Sequence, residues 1–273
     1  MTSSRPWPAD LDELSFWIGS NYELVQGPGG NTSFKNDRLI WVKASGTRLE
    51  QALQSEIFAE VSLSSGESTS RNELKPSIEK FFHIANPYPY VAHVHSIGSM
   101  SVSFRADAES VLTSIQNKIS IALIPYSRPG TSLEREISRT LDFMTHQAAL
   151  LGNHGLLVWG NTSNECKEKI RLIEELFADW KTLGFDSEEV FGNATARDIG
   201  SRSLTPDHAV FFSDRLKIEQ VVPPQKRWLS EFASALSEAI RRIPTHVEML
   251  FLDAGEVDGL RSWESEIARK AAN

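Results

Sequence analysis

The sequence predicts a layered α/β domain, and three observations carry that expectation. Short, β-branched-rich runs, RLIWVKAS (38–45), PYVAHVHS (89–96), IALIPY (121–126) and GLLVWG (155–160), fit strands buried in a sheet. Stretches with apolar residues at helical spacing lie among and after them. The chain has 273 residues, 40% hydrophobic and 23% charged, enough length and apolar content for a full core. Strands and helices mixed in this way pack as layers around one sheet.

The elements follow in chain order. Leu11, Leu14, Trp17 and Ile18 repeat at helical spacing and predict an opening amphipathic helix. GPGGN (27–31) is a turn, with strand-like TSF after it. The strand 38–45 is apolar through its middle, and SLSSGESTSRN (62–72) reads as a surface loop. Pro76 followed by SIEKFFHIA predicts a helix over 77–86. Thr131 with Glu134, and Thr162 with Glu165, have capping-box spacing. The second box opens a helix whose face is Ile170, Ile173, Leu176, Phe177 and Trp180. Trp228, Phe232, Leu236, Ala239, Ile240 and Ile243 mark a further amphipathic helix. The expected division is a domain over 1–213 and a helical C-terminal extension of it over 214–273.

Charge and cysteine content exclude several classes. A net charge of −8 disfavours nucleic acid and anionic membranes as partners. One cysteine, Cys166, excludes an internal disulfide and reads as structural within its helix. The N-terminal residues lack the pattern of a signal peptide and no apolar run approaches twenty residues, so a soluble, cytoplasmic protein is expected.

The chemistry centres on histidine. His93 and His95, two apart on a strand, project from one face and can point at one ion. His154, in GNHGLLVWG, can supply a third nitrogen and leave an open position, the layout of a catalytic zinc. Glu79 precedes that strand closely, with His83 four residues on along the same helical face. The amides near Pro76 and Ser77 at that helix start could face a phosphate. GPGGN ends in Asn31 and can offer backbone amides to an anion, as can the Ser45-Gly46 turn; both are equally plain turns. His83 reads as structural or supporting, and His146, His208 and His246 have no partner at ligand spacing. The glycine pattern is not that of a dinucleotide or P-loop site, and neither G-x-S-x-G nor H-E-x-x-H occurs.

Taken together and in order, GPGGNTSF, WVKASGT, KPSIEKFFH, AHVHS, IPYSRPGT and GNHGLLVWG resemble the class II aldolase/adducin family over roughly residues 10–212. SIE and LTPDHAVFF (204–212) look closer to the aldolase part of rhamnulose-phosphate aldolase/short-chain dehydrogenase proteins. The resemblance implies a three-layer αβα fold around a largely antiparallel sheet, commonly assembled as a homo-tetramer. It implies His93, His95 and His154 as zinc ligands, with manganese or cobalt as alternatives, and Glu79 as acid/base. It also implies that Asn31, Ser45, Gly46 and Ser77 hold a substrate phosphate. The expected activity is a metal-dependent aldolase that cleaves a C–C bond of a sugar phosphate or related hydroxy-carbonyl compound through a metal-stabilised enediolate. A sugar-phosphate 4-epimerase using the same chemistry and a non-catalytic adducin-like interaction module are the alternatives. Two departures stand out. Ile78 occupies the place of a second phosphate-pocket serine, and no tyrosine matches a proton donor, since the spacing of Tyr126 does not support that role.

Overall fold

The computed structural model describes residues 5–69, 73–178, 202–211 and 227–263. Among these, seven strands form one mixed sheet in the order β3-β2-β1-β4-β7-β6-β5. They are β1 (Asn31–Lys35), β2 (Leu39–Lys43), β3 (Phe58–Ser62), β4 (Tyr90–Val94), β5 (Ile121–Ile124), β6 (Ala148–Leu151) and β7 (Gly155–Gly160). Every pairing is antiparallel except β5 with β6. The architecture is α/β with a mostly antiparallel sheet, as expected.

Side-chain alternation along the central strands sends residues to opposite faces. Ala92, Val94, Leu156 and Val158 join Leu11, Leu14 and Ile18 of α1 (Ala9–Gly19) and Ile170, Ile173 and Phe177 of α6 (Ser163–Ala178) in the largest apolar cluster. Val91, Leu157 and Trp159 point the other way. They pack with Phe82 of α2 (Lys80–Ala85) and with Leu133 and Ile137 of α5 (Thr131–Thr140). The opening helix, the strands over 38–45, 89–96 and 155–160, and the helix after Thr162 all form where the periodicity places them.

Several local expectations needed correction. The helix expected over 77–86 begins only at Lys80, with Glu79 at its N-cap. Pro76 instead bridges Ala44, and the Ser77 amide donates to Lys43 O at 3.1 Å, so the segment runs antiparallel beside the end of β2 before it turns. Thr131 caps nothing. Gly130, at φ 102°, occupies the N-cap of α5 without a side-chain cap. At the other box, Thr162 Oγ1 accepts from Glu165 N at 3.2 Å, while Glu165 Oε2 accepts from Asn161 N rather than from the threonine. Trp180 lies outside the described residues, as do 70–72 of the expected surface loop.

The sequence reading missed β3, β6, α3 (Ile97–Ser103) and α4 (Ala108–Ile115). Every residue of α3 is buried, so no amphipathic stripe marks it. Beyond α6 the described helices are α7 (Pro206–Phe211), α8 (Arg227–Arg241) and α9 (Ala254–Ser262). Ile97, Met100 and Phe104 of and beside α3 pack with Leu204 and with Phe232, Leu236 and Ala239 of α8. α7 and α9 share a smaller cluster that includes Tyr126. Among the described residues no helix is long and apolar enough to cross a membrane.

Candidate metal centre

The sheet register assembles the site. β1 lies beside β4 with Asn31 opposite His93, and β4 pairs β7 with Val94 opposite Leu156. That second pairing brings the β6–β7 turn, Gly152–Asn153–His154, alongside the end of β4 where His95 sits. The turn needs Asn153 at φ 52°, a conformation asparagine tolerates better than most residues. Gly155 follows because a Cβ there would stand 2.4 Å from Val94 O and 3.2 Å from both His93 and His95 rings. Three imidazoles from two distant parts of the chain thus meet, with one ring nitrogen of each within 4.8 Å of the others. All three residues are buried.

Tautomers follow from what the outward nitrogens touch. His93 Nδ1 donates to Leu156 O at 3.0 Å, and His95 Nδ1 lies 3.2 Å from Asp207 Oδ2. His93 Nε2 therefore presents a lone pair, and it faces His95 Nε2 at 2.9 Å. Two acceptors that close in a buried site repel unless a cation or proton lies between them. Burial holds His93 well below the ordinary imidazole range, which leaves it neutral and able to donate its lone pair. The donor set fits a divalent ion of intermediate softness.

Glu79 completes the cluster. Its Oε1 stands 3.1 Å from His154 Nε2, and its Oε2 stands 3.8 Å from His93 Nε2. Oε1 is buried without a well-formed hydrogen bond. Burial pushes this carboxyl up, but positive charge on any proton shared by the His93, His154 and His95 rings, with the contact to His154, outweighs it and holds the group well below the usual carboxylate range. Glu79 Oε2 accepts from Asn31 Nδ2 at 2.6 Å. Asn31 Oδ1 in turn accepts from His83 Nε2, and His83 Nδ1 accepts from Ser33 Oγ at 2.7 Å. Each member of this buried chain donates to the next, ending on the carboxylate. Burial drops His83 to about 3, so it stays neutral in that relay.

A cleft opens onto the cluster. Its walls include Gly29, Gly30, Asn31, Lys43, Ser45, Gly46, Ser77, Ile78, Glu79, His95, His154, Pro206 and Asp207. Thus all eight residues singled out in the sequence except His93, which lies behind them in the metal cluster, border one cleft. Ser45 and Gly46 are exposed at its mouth; Ser77 is buried and accepts from the Glu79 amide at 3.2 Å. Gly46 adopts φ 79° with nothing within 4 Å of a would-be Cβ, leaving its backbone open to the cleft. The sequence reading did not pick out Lys43 or Asp207. Lys43 is 3% exposed and donates to Pro28 O at 2.9 Å, and a lone lysine in an apolar strand carries no local signal of a cleft. Tyr126 is not among the cleft walls; its hydroxyl is buried beside α7 and α9 with no hydrogen-bond partner among the described residues. Cys166 is buried, with its thiol pushed up to about 12, as a structural cysteine would be.

A probable methylthioribulose-1-phosphate dehydratase of Dictyostelium discoideum is 25% identical over 198 residues, 61% of this chain and 84% of that protein. The uncharacterized oxidoreductase YuxG of Bacillus subtilis is 25% identical over 218 residues, 68% of this chain but only 31% of YuxG, so the chain spans under a third of that relative. Shorter matches of 32% and 26% identity reach a 3-oxo-tetronate 4-phosphate decarboxylase of Escherichia coli and an L-fuculose phosphate aldolase of Methanococcus maripaludis. They cover 37% and 56% of this chain, and 53% and 84% of those proteins respectively. The N-terminal class II aldolase domain of a Thermoplasma acidophilum protein superposes with a TM-score of 0.56 at 22% identity, over 66% of this chain and 97% of that one, a likeness of fold. The family model described as Class II Aldolase and Adducin N-terminal domain matches residues 14–180. The chain therefore belongs to the class II aldolase/adducin family.

Proposed function

We propose that this protein is a metal-dependent lyase that cleaves a C–C bond beside a carbonyl in a sugar phosphate or related hydroxy-carbonyl compound. The observation that carries the reading is the convergence of His93, His95 and His154 beside Glu79 at the base of an open cleft. Those three imidazoles would hold the ion, with zinc the best match to their donor set. Bound there, a divalent ion supplies Lewis-acid stabilisation of the negative charge that develops on oxygen during cleavage.

The protein's own groups do the remaining work. Glu79, ionised and held by Asn31, moves a proton at the substrate hydroxyl or carbon, a contribution of about 10²–10⁴-fold. Ser45, Gly46 and Ser77 take the anionic end of the substrate, and buried Lys43 adds a positive charge on the same wall. Asn31, matched at first to the phosphate, has both amide heavy atoms engaged with Glu79 and His83, so in this reading it orients the carboxylate. Ile78 narrows the anion pocket to one serine on that side. The same reading takes the fold as three-layered αβα, residues 1–213 as the catalytic domain with 214–273 as its extension, and a cytoplasmic homo-tetramer as the working form.

Dehydration of a sugar phosphate is the second reading. The relative named as a probable dehydratase, 84% of whose length is matched, favours it. The test is to load purified protein with zinc and screen ketose 1-phosphates and hydroxy acids. A free aldehyde product supports cleavage. Loss of water with the carbon skeleton intact supports dehydration, and a 4-epimer without free aldehyde supports epimerisation. Absence of stoichiometric metal would leave only an interaction module.

A further inference from the structure

The carboxylate beside His95 comes from outside the matched family domain. Asp207 sits on α7, beyond residues 14–180, yet its Oδ2 lies 3.2 Å from His95 Nδ1 and both side chains are buried. The approach is held from several directions. Leu204 is fully buried against α3 and α8, and Leu252 N donates to Ser203 O at 2.9 Å. His208 N donates to Thr205 Oγ1 at 3.0 Å, and Leu204 N donates to His208 Nδ1 at 3.1 Å, which locks the turn that presents Asp207. Arg261 of α9 donates to Ala209 O at 3.0 Å, tying the far end of α7 down.

We infer that Asp207 is a positioning residue for the metal centre: it accepts the Nδ1 hydrogen of His95 and so fixes the tautomer and ring orientation that aim Nε2 into the cluster. The inference rests on the metal reading above. His93 gets the same service from a backbone carbonyl, Leu156 O, which no side-chain change can remove. His95 stands just past the end of β4, where no strand carbonyl takes that part, and a side chain from the C-terminal region takes it instead. A carboxylate behind a ligating imidazole also makes it a stronger donor. The assignment gives the C-terminal elements a direct part in the chemistry: α7 supplies the acceptor, and α8 and α9 hold α7 in place.

The test measures metal affinity and needs no substrate. Zinc and cobalt(II) are titrated against a chelator of known affinity into the full-length wild type, Asp207→Ala and Asp207→Asn. Folding is checked by circular dichroism and by melting of the chelator-treated proteins. Asp207→Ala is expected to bind about 10–100-fold more weakly. Asp207→Asn keeps an oxygen that can accept from Nδ1, so it recovers part of the loss, and it serves alone if the alanine variant does not fold. At saturating cobalt the absorption bands stay as in the wild type, because the ligand set is unchanged. Wild-type affinity in both variants would overturn the inference. Altered bands at saturation would overturn it too, by making Asp207 a ligand. A wild type that binds neither ion would instead overturn the metal reading itself, and this assignment with it.

Discussion

Metal binding at the histidine cluster should stabilise the whole fold, and replacing His95 by alanine should abolish that stabilisation. The three histidines lie on β4, just beyond it, and in the β6–β7 turn, so an ion held by them would tie the middle strands together and bind only the folded chain. With zinc at about 1,000 times its Kd, linkage gives roughly 4 kcal/mol of added stability. For a chain of this size each kcal/mol moves Tm by about 2–4 °C, so the expected rise is about 8–16 °C. If losing one of three ligands weakens binding about 1,000-fold, the same zinc concentration only equals Kd. The gain then falls to about 0.4 kcal/mol, or about 1–2 °C. Without metal the variant should not be grossly destabilised, because the substitution removes one Nε2–Nε2 contact at 2.9 Å and leaves the strand pairing around it intact. Differential scanning calorimetry of both proteins, with chelator and then with zinc, reads all four values. A His95→Ala protein that keeps the full rise would refute the shared-ion reasoning.

Three other outcomes are expected. Glu79→Gln preserves shape and the contact with Asn31 but removes the charge; bound metal should be unchanged while kcat falls about 10²–10⁴-fold, and wild-type turnover would exclude Glu79 as the proton carrier. Gly155→Ala places a methyl 2.4 Å from Val94 O and against two ligand rings; about 1–3 kcal/mol of stability should be lost in urea unfolding, together with weaker zinc binding. Acid should destabilise the metal-free protein: the unfolded histidines protonate near 6.5, whereas burial holds folded His83 at about 3 and His208 at about 4. The unfolded state thus binds more protons as pH falls below 6.5, and each histidine costs ~1.4 kcal/mol per pH unit. Glu174 acts oppositely. Burial raises it to about 7 from 4.5 against a hydrogen bond from Ser96, so its contribution grows as pH falls from 7 to 4.5. Folded His93 is held low by burial as well and adds to the loss, so the net loss between pH 6.5 and 4.5 should be at least about 3 kcal/mol, read from urea midpoints. His83→Gln should flatten that slope, and an unchanged slope would show that His83 does not carry it.

Local periodicity was enough to place the strand carrying His93 and the helix after Thr162, because alternation and amphipathic stripes are properties of neighbouring residues. Two members of the histidine cluster were legible for the same reason: two imidazoles on one strand face share a direction before any folding is known. The turn that carries His154 was not foreseen, because its shape depends on the pairing of β6 with β7. By contrast, α3 is buried all round and β6 is four apolar residues, so neither shows the contrast between faces on which periodicity depends.

What the sequence by itself determined was the α/β class, the mostly antiparallel sheet expected from the family resemblance, and the histidine triad, since each follows from local pattern or from motifs of fixed spacing. What only the tertiary structure decided was what surrounds those histidines: Asn31 and His83 joined across 52 residues onto Glu79, Lys43 on the cleft wall, and Asp207 reaching His95. These contacts depend on strand register and on the packing of α7, α8 and α9. Register and packing are set by burying many apolar side chains at once, and no short segment records the outcome.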